Sequence, residues 1–152
     1  MFNIDKNPYR LAIVGGVLIS LVPALIISLI AASFPSTQPE KLKIVSDFFS
    51  EGIGLEQLIF FAIVILFIPP IEEYIFRGLL WSLLEWVVKS PKLTWVGISL
   101  LFALFHMEPL HVIGLLPISF FIGWLRLKTG NLSASILAHM SNNAVGCLLM
   151  SL

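Results

Sequence analysis

The stretch from Leu11 to Phe34 contains no charged residue, and the turn-forming sequence Pro-Ser-Thr-Gln-Pro follows it at 35–39. A bilayer core of about 30 Å is crossed by about 20 apolar residues in a helix. The stretch is long enough for this, and it exceeds the apolar region of about 7–15 residues that is typical of a signal peptide. We interpret 11–34 as a first membrane span. A signal peptide cleaved near 31–33 is the alternative interpretation.

The composition extends this conclusion to the whole chain. Of the 152 residues, 58% are hydrophobic and 12% are charged, whereas a water-soluble domain carries about 25% charged residues. This excludes an ordinary soluble globule, and the high hydrophobicity excludes a disordered chain. Nine basic and nine acidic residues cancel, so no basic field is available to bind nucleic acid. Cys147 is the single cysteine, so no intramolecular disulfide forms, and we interpret residues 1–152 as one membrane domain.

Four further spans are predicted after a short amphipathic segment. Within 40–54, apolar residues recur at steps of three and four with charges between them. This pattern favours an interfacial amphipathic helix, with a solvated loop as the alternative. The remainder, 55–152, is the predicted core of the domain, with apolar stretches at 55–88, 93–107, 110–127 and 132–152. The sequence therefore predicts an all-α, polytopic transmembrane helix bundle of about five spans.

The second span contains Pro69 and Pro70. Proline inside a helix removes a hydrogen bond and bends or breaks the helix. We expect either one long kinked helix over 55–88 or a short segment followed by a span that starts near Pro70.

The distribution of basic residues predicts the orientation of the bundle. Six basic residues lie at the N-terminus and in the loops on its side of the membrane, and two lie on the other side. Cytoplasmic loops are enriched in lysine and arginine. The N-terminus is therefore expected in the cytoplasm and the C-terminus outside it. The basic residues on the two sides are, respectively, Lys6, Arg10, Lys89, Lys92, Arg126 and Lys128, and Lys41 and Lys43.

Three of the predicted spans carry polar residues that are costly in lipid. A charge at the middle of a bilayer costs about 2.5–3.5 kcal/mol on insertion scales, and such residues usually face the interior of a bundle and mark a functional site. We therefore expect one shared polar interior. The residues are Glu72, Glu73 and Arg77 in the second span, His106 at the end of the third, and His139, Asn142 and Asn143 in the fifth.

Helical spacing suggests how these residues act together. Glu73 and Arg77 lie four residues apart and can form an ion pair, which leaves Glu72 free. A free glutamate and a histidine in an apolar chamber can hold and deprotonate a water molecule. His139 and Asn143 share a helix face and can stabilise an oxyanion. The structural alternative is that Glu73–Arg77 is only a buried ion pair and that single histidines or asparagines only join helices.

The ordered motifs Glu72-Glu73-x-x-x-Arg77, Phe102-x-x-x-His106 and His139-x-x-x-Asn143 resemble those of the CPBP family. This family comprises the CAAX proteases and bacteriocin-processing enzymes, also called Abi, and includes the Rce1-like proteases. The resemblance covers roughly 55–150, and Gly78 after Arg77 also fits it.

The resemblance implies an intramembrane endopeptidase of the glutamic type that cleaves a membrane-anchored protein or peptide. It implies that Glu72 and His106 activate water and that His139 and Asn143 form the oxyanion site. Glu73 and Arg77 match supporting positions, and Phe102 is expected to pack beside His106. The chain has about five spans where eukaryotic CAAX proteases have eight, so CAAX processing itself is not carried over. Location in a bacterial inner or plasma membrane is expected.

The same residues also fit other functions. A zinc-dependent protease would use Glu72, His106 and His139, and by residue type also His111. However, the chain lacks a His-Glu-x-x-His motif, and the five-residue step from His106 to His111 does not place both on one helix face. We therefore expect no required cofactor. The remaining alternatives are a non-catalytic peptide-binding or immunity protein and a small transporter or proton relay.

Overall fold

The computed structural model describes residues 7–33, 47–49, 52–107 and 109–151. All regular secondary structure in these ranges is helical, which confirms the predicted all-α fold. The five long helices are α1 (Pro8–Ser33), α2 (Leu55–Val88), α3 (Pro91–Phe105), α4 (Pro109–Thr129) and α5 (Leu132–Met150).

The outer surface of the bundle is suited to lipid. Large apolar side chains such as Leu18, Leu66, Phe67 and Leu104 are more than half exposed. In the described residues, three helices (α1, α2 and α4) are long and apolar enough to cross a membrane, and α3 is a shorter apolar helix. These features support an integral membrane protein. The count of five spans stays a prediction.

The amphipathic helix predicted for 40–54 lies largely outside the described residues. Within it, 47–49 is helical, and 52–54 is a non-helical segment that leads directly into α2. The backbone N–H of Gly54 donates to Oε1 of Gln57 over 2.9 Å, which satisfies an otherwise free donor at the start of α2.

Local capping sets the remaining helix ends. At the end of α2, Lys89 adopts the left-handed conformation with a φ of 53°. The Ser90 side chain accepts from the Leu93 N–H at the start of α3, where Pro91 occupies the first turn. Asn131 accepts from the Ser133 N–H over 2.9 Å and begins α5. Residues at the helix ends themselves therefore determine where these spans end and begin.

Helix α2 continues through Pro69 and Pro70, as in the first of the two alternatives for this span. It does so with two π-helical stretches, Ile63–Phe67 and Tyr74–Leu80, which flank a short α-helical turn. A π-helix hydrogen-bonds to the fifth residue back rather than the fourth, and such stretches occur frequently at functional sites. Glu72 and Glu73 lie directly before the second stretch.

Helices α4 and α5 connect the two sides of the bundle. Helix α1 packs against both of them, whereas α2 packs against α3 and α5, and α3 packs against α4. One buried apolar cluster joins α1, α4 and α5, and a second joins α2 and α3. Their members are, respectively, Ala12, Ile118, Ile122, Leu125, Ala134 and Ala138, and Phe76, Trp81, Ile98 and Phe102.

Candidate active site

The centre of the candidate site is a contact between α2 and α5. Nδ1 of His139 lies 2.9 Å from Oε1 of Glu73, whose side chain is fully buried. An ionised carboxylate only accepts hydrogen bonds, so His139 donates from Nδ1. The other ring nitrogen, Nε2, then lies 3.7 Å from Oε2 of Glu72. The imidazole of His139 therefore lies between the two adjacent carboxylates.

Arg77 holds the inner carboxylate from the opposite side. Its Nη1 lies 3.0 Å from Oε1 of Glu73, and both side chains have no exposed surface. The i,i+4 ion pair expected from the sequence is thus present. The guanidinium of Arg77 also lies 4.3 Å from the centre of the Phe102 ring, a distance that favours cation–π attraction. Glu73 is consequently held by a cation and by an imidazole.

A serine pair extends this network into α4. Nη2 of Arg77 donates to Oγ of Ser119 over 2.8 Å and to the carbonyl of Ser119 over 3.1 Å. Ser119 donates in turn to the carbonyl of Ser99 on α3, and Ser99 donates to the carbonyl of Ser119. Sequence reasoning missed both serines, because a single serine in an apolar span carries no signal that separates it from any other.

Glu72 differs from Glu73 in its surroundings. Its side chain is 27% exposed, whereas that of Glu73 is fully buried. At 3.7 Å its oxygen is too far from His139 for a normal hydrogen bond. Glu72 is therefore the carboxylate of the pair that water or a substrate can approach.

His106 ends α3 and contacts the centre through Phe102. Its Nδ1 lies 3.0 Å from the Phe102 carbonyl, which can only accept, so Nδ1 carries the proton and Nε2 can accept. The Phe102 ring lies 5.2 Å from the His106 ring and 5.7 Å from the His139 ring. In the described part of the chain no ion pair joins His106 to Glu72; one aromatic ring contacts both imidazoles.

Asn143 is oriented by two hydrogen bonds. Its Nδ2 donates to the carbonyl of Val64 over 3.0 Å, and its Oδ1 accepts from Nδ2 of Asn142 over 3.2 Å. These contacts fix which end of the carboxamide is the donor, and the second N–H on Nδ2 is left for another acceptor. Oδ1 of Asn142 is buried without a hydrogen-bond partner.

The residue types at this site could also serve as ligands of a metal ion. Among the described residues, no three histidine, cysteine, aspartate or glutamate side chains are placed to hold one metal ion. Glu72, His106 and His139 therefore do not form such a set in this arrangement, and the His111 side chain lies outside the described part. That activity requires no zinc stays a prediction.

The three motifs lie in a part of the chain that matches a known protein family. The model of the family described as type II CAAX prenyl endopeptidase, Rce1-like, matches residues 54–145, which is more than half of the chain. The chain belongs to the Rce1-like family. The match contains all three motifs and every side chain described above for the candidate site. Neither a curated protein nor a solved structure matches the chain significantly.

Membership of the Rce1-like family carries a general function. The family implies a hydrolase of the CAAX protease type, which acts on membrane-associated protein substrates. The resemblance noted from the three motifs is confirmed.

Proposed function

We propose that the chain is an intramembrane glutamic endopeptidase that cleaves a peptide bond in a membrane-anchored protein or peptide. Glu72 and His106 activate water, and His139 and Asn143 stabilise the oxyanion. The observation that carries the proposal is that the two carboxylates differ in burial and in their partners. Glu73 is buried and held by Arg77 and His139, whereas Glu72 is accessible and has no normal hydrogen-bond partner among the described side chains.

The first step is attack by water on the scissile carbonyl. Glu72 accepts one water proton, and the acceptor nitrogen Nε2 of His106 orients the water when the substrate brings both groups to it. The O–H bond breaks, a C–O bond forms, and the carbonyl oxygen becomes an oxyanion. The tautomer of His106 supports this role, because its hydrogen bond to the Phe102 carbonyl leaves Nε2 unprotonated in the neutral ring.

The second step is stabilisation and collapse of the tetrahedral intermediate. His139, when protonated on Nε2, and the second N–H of Asn143 donate to the oxyanion. The C–N bond then breaks, and the proton held by Glu72 passes to the amine that leaves. Glu73 supports the protonated ring by accepting from Nδ1 of His139.

Counting charges supports a proton at this site. Ionised Glu72 and Glu73 together with Arg77 leave one net negative charge in an apolar setting, and one proton on His139 balances it. Uncompensated charge is expensive in such an environment. The proton also separates Nε2 of His139 from the carboxylate of Glu72, which would otherwise face each other as two acceptors.

The test uses two fluorogenic peptides in detergent: one carries a farnesylated CAAX end, and the other carries a transmembrane segment. Wild type is compared with Glu72→Gln, and Glu56→Gln serves as the matched control because Glu56 is an exposed glutamate near the start of the same helix. We expect Glu72→Gln to lower kcat by about 10²–10⁴, and Glu56→Gln to leave it unchanged.

Parallel assays with a strong chelator decide the alternatives. Activity that survives chelation supports the glutamate mechanism, whereas loss that zinc restores would replace it with a zinc-dependent protease. Binding of both peptides without cleavage by wild type would replace it with a non-catalytic peptide-binding protein. Full activity of Glu72→Gln would overturn the proposed role of Glu72.

A further inference from the structure

The backbone of α2 loses a hydrogen-bond donor beside the candidate site. In the π-helical stretch Ile63–Phe67, the N–H of Ile68 donates to the carbonyl of Ile63, five residues back. In this register the next backbone nitrogen, that of Pro69, would be the hydrogen-bond donor to the carbonyl of Val64. Proline has no N–H. The sequence therefore leaves the Val64 carbonyl without this main-chain donor.

Asn143 supplies the donor that Pro69 lacks. Its Nδ2 donates to the Val64 carbonyl over 3.0 Å, across the contact between α5 and α2. A carbonyl away from water costs free energy when it is unpaired, so the contact is favoured on both sides. Asn142 fixes the other end of the same carboxamide. The free N–H of Asn143 therefore has a set direction, as an oxyanion donor needs.

We infer that Pro69 is a positioning residue for Asn143: by withholding its N–H it frees the Val64 carbonyl, and that carbonyl orients the Asn143 side chain. The inference rests on the proposed function, in which Asn143 is an oxyanion donor. Pro70 provides a matched comparison. In the same register its missing N–H corresponds to the carbonyl of Ile65, which no described side chain approaches as a donor.

The first test needs no substrate. Asparagine is labelled with ¹⁵N in the full chain in detergent, and the side-chain amide of Asn143 is identified as the signal missing from Asn143→Asp; the chain has five asparagines. Pro69→Ala restores an N–H for Val64, and we expect it to shift this signal and speed its hydrogen exchange at least tenfold. Pro70→Ala should leave the signal in place. An unmoved signal in Pro69→Ala overturns the inference.

The second test separates positioning from a structural role. With whichever fluorogenic peptide is cleaved, we expect Pro69→Ala to lower kcat about tenfold or more with KM unchanged, because an oxyanion donor is displaced. Pro70→Ala should retain wild-type kcat. In the Asn143→Ala background, Pro69→Ala should cause no further loss, since the two changes act through one contact.

The outcomes distinguish the two proposals. If Asn143→Ala reduces kcat while Pro69→Ala does not, the inference fails and the proposed function stands. If Asn143→Ala retains full kcat, the proposed oxyanion role fails, while the amide signal still reports on Pro69. If Pro69→Ala does not fold, Asn143→Asp tests the same contact with Pro69 intact. An ionised aspartate cannot donate to Val64, so we expect a lower unfolding temperature. An unchanged unfolding temperature would show that the contact through which Pro69 is inferred to act does not hold the side chain, and it would overturn the inference.

Discussion

The two sides of the bundle are held together by different chemistry. In one of them, the packing region, α1 meets α4 and α5 through apolar side chains, and the helices lie close together. Ala12, Ala134 and Ala138 have no exposed surface there. A methyl group added at Gly16 would collide with the backbone carbonyl of Ala138. Small residues of this kind let helix backbones approach each other in membranes, where packing rather than water exclusion drives association.

The motif region, where α2 meets α3, α4 and α5, is held by buried polar groups. Glu73, Arg77, Ser119 and His139 form one continuous network, and the Phe102 ring contacts the Arg77 guanidinium and the His139 ring. Each member satisfies a neighbour, so the removal of one leaves another unpaired in an apolar environment. Shape therefore sets the cost of substitution in the packing region, whereas charge and hydrogen bonding set it in the motif region.

The largest effect is expected for Arg77→Met in the motif region. The change leaves the fully buried carboxylate of Glu73 without its cation. Breaking a buried ion pair in this way costs about 3–5 kcal/mol. We expect the unfolding midpoint in detergent to fall sharply and peptide cleavage to be lost.

A double variant, Glu73→Gln with Arg77→Met, is the control for this prediction. It removes both charges, so stability should largely return while cleavage stays low, because His139 no longer contacts a carboxylate at Nδ1. If Arg77→Met unfolds like wild type, the network does not hold α2, and the distinction between the two regions fails.

The second effect belongs to the packing region. Gly16→Ala adds a methyl group against the Ala138 carbonyl, and overpacking of this kind costs about 1–3 kcal/mol. Gly146→Ala is the matched control on α5, because an added methyl group there has no atom of the described residues within 4 Å, and alanine favours a helix over glycine by about 0.5–1 kcal/mol. Unfolding assays should separate the two variants, and each folded protein should keep wild-type kcat. A lower kcat in folded Gly16→Ala would show that the regions are coupled.

Local features of this bundle were accessible from the sequence because they depend on neighbours along the chain. Apolar length predicted the helices, and the i,i+4 step predicted the Glu73–Arg77 pair, which the structure contains. The same step leaves Glu72 outside that pair, and the structure places its Oε2 3.7 Å from Nε2 of His139. Asn131 and Ser90 are capping residue types placed at the starts of helices.

Contacts that depend on helix register and on distant partners were not accessible. Arg77 meets Ser119 across 42 residues, and Asn143 meets Val64 across 79. Val64 also lies in a π-helical stretch of α2, where the backbone pairing is shifted by one residue. A continuous α-helix over 55–88 would have no such shift. The sequence pattern alone therefore gave no reason to expect that Val64 needs a side-chain donor.

A smaller effect is expected for Ser119→Ala in the motif region. The change removes one acceptor of Arg77 but leaves the Ser119 carbonyl. Ser99→Ala is the control, since Ser99 is equally buried on the facing helix and bonds to Ser119, and no hydrogen bond joins it to Arg77 among the described residues. Both variants should lose about 1 kcal/mol of stability, whereas only Ser119→Ala should lower kcat, by about tenfold or 1.4 kcal/mol. Equal kcat values in the two variants would mean that Ser119 supports the fold but not Glu73 and His139.

The smallest effect is expected for Tyr9→Phe at the edge of the packing region. Nδ2 of Asn131 donates to the Tyr9 hydroxyl over 3.1 Å in an exposed position, which ties the start of α1 to the turn before α5. An exposed hydrogen bond exchanges readily with water, so its loss should cost at most about 0.5 kcal/mol. If thermal unfolding showed Tyr9→Phe to be as destabilising as Gly16→Ala, α1 would be held by polar contact. The packing region would then obey the same rule as the motif region, and close apolar contact would not be what keeps α1 in the bundle.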